Sequence, residues 1–329
     1  MKIPKLIAQN LDDLFLVGGA VRDLLLDTKP KEYDLITTTP LEKIKFKTFK
    51  ESKQGETVGV FMKGTKYDIS HYELLDEDLK RRDFTINSIA FAVQKDGEII
   101  EKPVDPCNGI EDLKKRVLRS FSPDENMKSD PVRILRGLRF ISSYDLDVDD
   151  HTLHAMKKYM PLVKDVSKER LFQPIDGFIN GKYFEKSSYV AKVIGIEMLG
   201  IPTKNFDILA KLDPQCRWPA IFFETALLDL FAERVFPPKR ILRFIVRIND
   251  FANQIKAYRY EWTIKIKPEE AQCLTQILNA MGVDASAVKK RMQTKLEITP
   301  ETLKAQGVKG KEIAQKMIEV WKKELKIGD

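Results

Sequence analysis

Leu14-Phe15-Leu16-Val17-Gly18-Gly19-Ala20-Val21-Arg22-Asp23-Leu24-Leu25-Leu26 decides how this chain is read. The apolar run to Val17 suits a buried strand, Gly18-Gly19 stops it, and the residues that follow open a helix. Such a turn gathers backbone N–H groups where a phosphate chain can meet them. A tight turn with a helix cap is the plainer reading of the same residues. Outward from it, Glu32 and Asp34 lie two apart, on one side of a strand predicted over Tyr33–Thr37. Asp68 falls on another predicted strand, Lys66–His71, which the turn Lys63-Gly64-Thr65 joins to a strand over Gly55–Met62. Three carboxylates from adjacent strands can hold two Mg²⁺ ions, as phosphoryl transfer to a hydroxyl requires. Solvated strand-edge carboxylates are the alternative.

Two further constellations carry chemistry. In Arg81-Arg82-Asp83-Phe84-Thr85-Ile86-Asn87, Asp83 and Asn87 are four apart and share a face if the stretch is helical. There they can read ribose hydroxyls while the arginines hold phosphate; a capped amphipathic helix with Phe84 and Ile86 in the core is the other reading. In Ser129-Asp130-Pro131-Val132-Arg133-Ile134-Leu135-Arg136-Gly137-Leu138-Arg139-Phe140, Asp130 before Pro131 reads as a helix N-cap. That does not account for Arg133, Arg136 and Arg139 at intervals of three. Asp130 and Arg133 together offer an acceptor beside a donor fork, which matches the Watson–Crick edge of cytosine.

The chain has 329 residues, 43% of them hydrophobic and 32% charged, enough for two or three domains of globular type. Its formal net charge of +7 suits a polyanionic partner. No apolar run approaches a membrane span and Met1-Lys2-Ile3-Pro4 lacks a signal-peptide core, so a cytoplasmic protein without membrane contact is expected. Cys107, Cys216 and Cys273 have no metal-ligand spacing and read as reduced thiols. His151 and His154 read as a surface pair. Strand-like runs become sparse after about residue 120, and helical periodicity runs on to the end. The fold class expected is therefore α+β: a small mixed-sheet head followed by an all-α remainder.

Taken together, the Gly-Gly-Ala-Val-Arg-Asp turn, the Glu32/Asp34 pair, Arg-Arg-Asp-Phe-Thr-Ile-Asn, the Asp105–Leu113 turn and the Asp130–Phe140 stretch follow one order across residues 14–140. In that order they resemble the class II tRNA nucleotidyltransferases and bacterial poly(A) polymerases, within the nucleotidyltransferase superfamily of DNA polymerase beta. The resemblance implies a nucleotidyltransferase head over 1–120, a neck over 121–190 with the base-recognition helix, a body over 191–266 and a tRNA-binding tail over 267–329. It implies triphosphate contact at Gly18, Gly19 and Arg22, and two Mg²⁺ ions on the catalytic carboxylates Glu32, Asp34 and Asp68. Ribose and phosphate would fall to Arg82, Asp83 and Asn87, base templating to Asp130 and Arg133, and phosphate steadying to Arg136. The implied reaction adds CMP, and AMP, from CTP and ATP to the 3′ end of tRNA, held by its acceptor stem and TΨC arm. No protein partner is inferable.

Departures from the family are specific. Glu32 stands where Asp is common, Asp68 where Glu is more usual, Ser129 where Glu usually precedes Asp130, and Pro174 where an acidic residue is usual. Only residues 72–77 separate His71 from Asp78, where CCA-adding members carry a mobile loop. That shortness resembles the CC-adding members. A poly(A) polymerase and a catalytically inactive RNA-binding relative are the competing readings. In the helical part, Lys239–Arg247, Lys289-Lys290-Arg291 and Lys309-Gly310-Lys311 read either as solvated helix faces or as tRNA backbone contacts.

Overall fold

Val17 ends a three-residue strand, β1 (Phe15–Val17), that sits inside a seven-stranded sheet. The structure, a computed structural model, describes residues 2–50, 57–62, 64–257, 261–294 and 298–325. Gly55 and Lys63, where the expected strand and turn began, lie outside the described residues. The other strands are β2 (Tyr33–Thr37), β3 (Phe49–Lys50), β4 (Thr57–Met62), β5 (Thr65–His71), β6 (Ala90–Val93) and β7 (Ile99–Val104). Their order is β3-β4-β5-β2-β1-β6-β7, antiparallel throughout except for the parallel pair β2/β5.

Alternation along the strands creates two unlike faces. Leu16, Leu35, Val60 and Ile69 lie on one, and with Ile7, Ala20 and Val21 they bury the larger core against α1 (Lys5–Asn10) and α2 (Gly19–Leu25). The other face carries Val17, Ile36, Ala90, Tyr72 and Leu79 in a smaller cluster, and Asp34 and Asp68 beside it. The same period that buries Leu35 therefore turns Asp34 away from the larger core.

The stretch from Asp78 onward is not one helix. α3 (Leu75–Lys80) stops at Arg81, a 3₁₀ turn spans Thr85–Asn87, and β6 follows. α4 (Gly109–Lys115) clamps that turn. The Asp105 carboxylate accepts from the N–H groups of Gly109 (2.7 Å) and Ile110 (2.9 Å), and Thr85 Oγ1 donates to Asp112. A Cβ on Gly109 would lie 2.0 Å from the Thr85 carbonyl oxygen. Gly109→Ala is therefore expected to push the turn away and cost about 3 kcal/mol, read as a lower urea midpoint. A wild-type midpoint would show that the two segments separate freely.

α5 (Pro123–Ser129), α6 (Val132–Tyr144) and α7 (Asp150–Tyr159) complete a compact unit over 1–166, with the short parallel pair β8 (Val117–Leu118) and β9 (Asp147–Val148). α6 starts with Pro131 at its N-cap position and no side-chain cap, so the N-cap expected of Asp130 is not formed. The second unit spans 167–329, so the cut at Val166/Ser167 falls within the stretch expected to be the neck.

Among its described residues the second unit holds helices and no strand: α8 (Phe172–Ile179), α9 (Phe184–Ile194), α10 (Phe206–Leu209), α11 (Pro214–Ile221), α12 (Leu228–Val235), α13 (Lys239–Lys256), α14 (Pro268–Ala280), α15 (Ser286–Gln293), α16 (Pro300–Ala305) and α17 (Lys311–Leu325). Trp262, Phe178, Phe184, Phe206 and Phe231 are wholly buried in it. Cys216 and Cys273, expected as reduced thiols, are joined in a disulfide between α11 and α14, with Cα atoms 5.0 Å apart. The two cysteines are 57 residues apart, and only the packing of α11 against α14 makes them neighbours. Cys107 is a free, buried thiol.

Candidate active site

Parallel pairing of β2 with β5 sets Asp34 directly beside Asp68. Both line a cleft of about 320 Å³ together with Thr57, Ser70 and Arg82. Thr57 and Ser70 share a hydroxyl hydrogen bond of 2.9 Å along its wall. Gly18, with φ of +68°, lets the chain turn under this cleft. A Cβ there would sit 3.1 Å from both Asp34 Oδ2 and Arg82 Nη1. The glycine turn, the β2 carboxylate and the Arg-Arg-Asp arginine thus converge, as the sequence motifs implied.

Asp34 keeps solvent-accessible surface and lines the cleft, yet protein atoms crowd around it. That burial pushes its carboxyl above the usual range; the Asp68 and Glu32 charges push the same way, and Arg82 and Arg136 oppose them. Asp68 pairs with Lys66 at 3.1 Å. Glu32 is exposed and precedes β2. Among the described residues no group of three His, Cys, Asp or Glu side chains is arranged to hold a metal, so Glu32 does not join the other two in a ligand cluster. His151 and His154 lie exposed on α7. Two adjacent carboxylates facing one cleft nonetheless suit a hard cation that completes its shell with substrate oxygens.

Several of the remaining motif residues form one relay, buried at Arg22, Asn87 and Asp83. Tyr144 donates to Asp23 at 3.3 Å, and Asp23 accepts from Arg22 Nη2 at 2.7 Å. Arg22 Nη1 donates to Asn87 Oδ1 at 2.6 Å, and Asn87 Nδ2 donates to Asp83 Oδ1 at 3.1 Å. Asp83 Oδ2 accepts from Arg136 Nε and Nη2 at 2.7 and 2.6 Å. The Arg22 guanidinium also lies over the rings of Tyr144 (4.5 Å) and Phe140 (5.4 Å). Arg22 is buried, so here it holds α2 against α6 rather than presenting a bare cation to the cleft. Asp83 and Asn87 do meet, although no helix brings them together.

Burial alone would raise the Asp83 carboxyl, but Arg136, Asn87 and the Phe84 N–H together hold it below the usual carboxylate range. Arg136 is raised in turn, by Asp83 first and also by Asp130 and Asp34. Asp130 and Arg133, expected from the sequence to read the base, are both half-buried. Arg133 Nη1 donates to Asn126 Oδ1 at 2.7 Å, and Asn126 Nδ2 donates to the Arg82 carbonyl at 3.0 Å. Asn126 therefore ties Arg133, at the start of α6, to the backbone of Arg82. Nothing in its sequence context marks it, because its partners are 7 and 44 residues away. Asp78, also missed in the sequence, accepts from Arg82 Nε and Nη2, and unlike Asn126 it has a legible signal in its spacing of four before Arg82.

In the second unit Lys239, Arg240, Arg243, Lys289, Lys290, Lys309 and Lys311 are exposed. Arg247 and Arg291 are committed to packing: Arg247 pairs with Glu270, and Arg291 donates to the Thr263 carbonyl while lying 4.1 Å over Trp321.

Residues 14–74 and 61–119 match the family described as the Poly A polymerase head domain. The CCA-adding enzyme of Streptococcus agalactiae serotype V is 36% identical over 196 residues, covering 53% of this chain and 47% of that protein. The CC-adding tRNA nucleotidyltransferase of Halalkalibacterium halodurans is 35% identical over 176 residues, covering 52% and 45%. The match thus spans about half the length of these relatives. Among solved structures, the Thermotoga maritima CCA-adding enzyme complexed with tRNA aligns over 99% of this chain and 91% of its own, with a TM-score of 0.74. The Bacillus stearothermophilus CCA-adding enzyme in complex with CTP aligns over 97% and 89%, with a TM-score of 0.71. Both are 22% identical, so the likeness is one of fold, and it confirms the α+β class read from the sequence. Residues 14–119 thus resemble the Poly A polymerase head domain, and the chain that bears them resembles the CCA-adding and CC-adding enzymes in sequence along its first half and in fold throughout.

Proposed function

We propose that the chain is a template-independent RNA nucleotidyltransferase that adds CMP from CTP to the 3′ end of tRNA and releases pyrophosphate. The observation that carries this reading is the side-by-side register of Asp34 and Asp68 in a cleft rimmed by Gly18 and Arg82. Asp34 and Asp68 are the residues that would hold divalent cations, with Glu32 supplying charge from just before β2. Bound Mg²⁺, two ions in this reading, supplies Lewis acidity at the attacking 3′-hydroxyl and at the departing pyrophosphate. Arg82, steered by Asp78, presents its guanidinium over the glycine turn, where a triphosphate would lie. The Asp83–Asn87–Arg22 relay keeps that turn and α6 in fixed relation, and Asp130 and Arg133 stand at the start of α6 to read the base.

The connection after β5 supports a CC-adding variant. β5 ends at His71 and α3 begins at Leu75, leaving residues 72–74 between them. Tyr72 anchors that link: its N–H donates to the Thr37 carbonyl, its hydroxyl to the Asp13 carbonyl at 3.1 Å, and its ring meets Phe15 edge-on. Burial pushes the Tyr72 phenol up to about 12, so it stays a donor at any physiological pH. A pinned link of this length has no slack with which to reshape a base pocket for ATP. The division into head, neck, body and tail, a cytoplasmic setting, and contact of the exposed tail lysines with the acceptor stem and TΨC arm belong to the same reading.

The test supplies the purified chain with Mg²⁺, tRNA lacking its 3′ CCA, CTP and ATP, and sizes the product. Two added cytidines are expected. Completion to CCA would remove the CC-adding refinement, a long homopolymer from ATP alone would make the chain a poly(A) polymerase, and no incorporation would leave an inactive RNA-binding relative.

A further inference from the structure

We propose that Asn126 is a positioning residue that sets the base preference of the site by fixing the Arg133 guanidinium; the inference deepens the nucleotidyltransferase reading and rests on it. Asn126 is 4% exposed on α5, whose Asp124, Glu125 and Lys128 face solvent. A buried amide offsets its desolvation cost only where each polar end is matched. Both ends are matched here. Oδ1 accepts from Arg133 Nη1 at 2.7 Å, and Nδ2 donates to the Arg82 carbonyl at 3.0 Å and to Ser120 Oγ at 2.9 Å.

The amide has one workable orientation. Arg82 offers a carbonyl, which only accepts, and Arg133 offers a guanidinium, which only donates, so Oδ1 must face Arg133 and Nδ2 must face Arg82. Main-chain atoms of the same residue hold the other expected base reader. The Asn126 carbonyl accepts from the Asp130 N–H at 3.4 Å and from the Ser129 hydroxyl at 3.2 Å. One residue therefore touches both Asp130 and Arg133, together with the backbone of the arginine over the glycine turn. Cytosine and uracil differ at the edge such a pair would read. Cytosine has a donating amino group and an accepting N3, where uracil has an accepting O4 and a donating N3–H. A guanidinium held in place rewards the accepting N3 and is left poorly paired by the donating one. Freed from Asn126, the same fork can turn about its side-chain torsions and reach the uracil carbonyls as well. Asn126 thus acts through Arg133 and needs no contact with the nucleotide.

Calorimetric binding of CTP and of UTP to the full chain in Mg²⁺ tests this role. Asn126→Leu, similar in volume but without polar atoms, is expected to raise Kd for CTP roughly tenfold and to leave Kd for UTP unchanged. Asn126→Asp keeps an acceptor for Arg133 and is expected to keep the preference for CTP. A role confined to folding would move both nucleotides together. If circular dichroism shows Asn126→Leu unfolded, Asn126→Ser, whose hydroxyl falls short of Arg133, takes its place with the same expectation. The proposal is overturned by a folded variant without the amide that keeps the wild-type ratio of the two constants, by an Asn126→Asp that loses it, or by a wild type with no preference. CMP incorporation is scored separately. A wild type that prefers CTP but transfers nothing removes the nucleotidyltransferase reading alone, whereas a wild type that transfers CMP and whose preference survives Asn126→Leu removes only the role of Asn126.

Discussion

Asp34→Ala is expected to reduce Mg²⁺-dependent CMP incorporation on the order of a thousandfold or more while the protein remains folded. Asp34 makes no packing contribution on the larger-core side of β2, since its side chain faces the cleft, paired with Asp68 and next to Gly18. The site holds like charges together: burial raises its carboxyl, and Asp68 and Glu32 add to that effect. Removing one carboxylate therefore relieves repulsion in the cleft and takes away one of the two carboxylates proposed to hold the metal. The thermal midpoint by circular dichroism should stay level or rise, and incorporation of labelled CMP should vanish. Normal incorporation by Asp34→Ala would sink the catalytic assignment. A variant that fails to fold would show that β2 needs this side chain for a reason other than chemistry.

The second large effect lies in the relay. Arg136→Ala should destabilise the protein by about 3 kcal/mol near neutral pH, because it leaves the buried Asp83 charge without its ion-pair partner. The figure sits at the low end for a broken buried pair because the Arg136 side chain is 41% exposed. In the wild type, Asp83 titrates below its ordinary value when folded. Its stabilising contribution is therefore complete above the unfolded pKa and is lost as the pH falls through the folded one. In Arg136→Ala burial acts with less opposition, so the carboxyl titrates higher and the variant regains stability as the pH drops. Urea titrations from about pH 7 to about pH 4 should thus show the gap between the two proteins closing. Arg136→Lys should rescue little, since a single ammonium does not reproduce the two donors that Asp83 accepts. A gap that is absent, or constant with pH, would show that the pair contributes nothing to folding.

Asp34 and Arg136 are both legible in the sequence, but their pairings are not. Asp34 could be placed because strand alternation alone turns it to the face opposite Leu35, and β2 begins and ends where its residues predict. Asp83 and Asn87 meet for a reason other than the one their spacing predicts. Helical spacing suggested a shared face, whereas a 3₁₀ turn clamped by α4 makes the contact. Arg22 looked like a phosphate ligand beside the glycines and is instead consumed by Asn87, Asp23 and the rings of α6, which lie more than a hundred residues on.

The sequence by itself determined the turn, the two strands that bear Asp34 and Asp68, the succession from mixed sheet to helices, and the family resemblance. Each of these depends on local period, on glycine's freedom at Gly18, or on motif order. Tertiary structure alone decided the parallel pairing that sets Asp34 against Asp68, Asn126 as the link between Arg82 and Arg133, and the Cys216–Cys273 bridge. The reason is that strand order and helix docking bring together residues from distant parts of the chain, and no local period encodes which distant strand or helix a segment will meet.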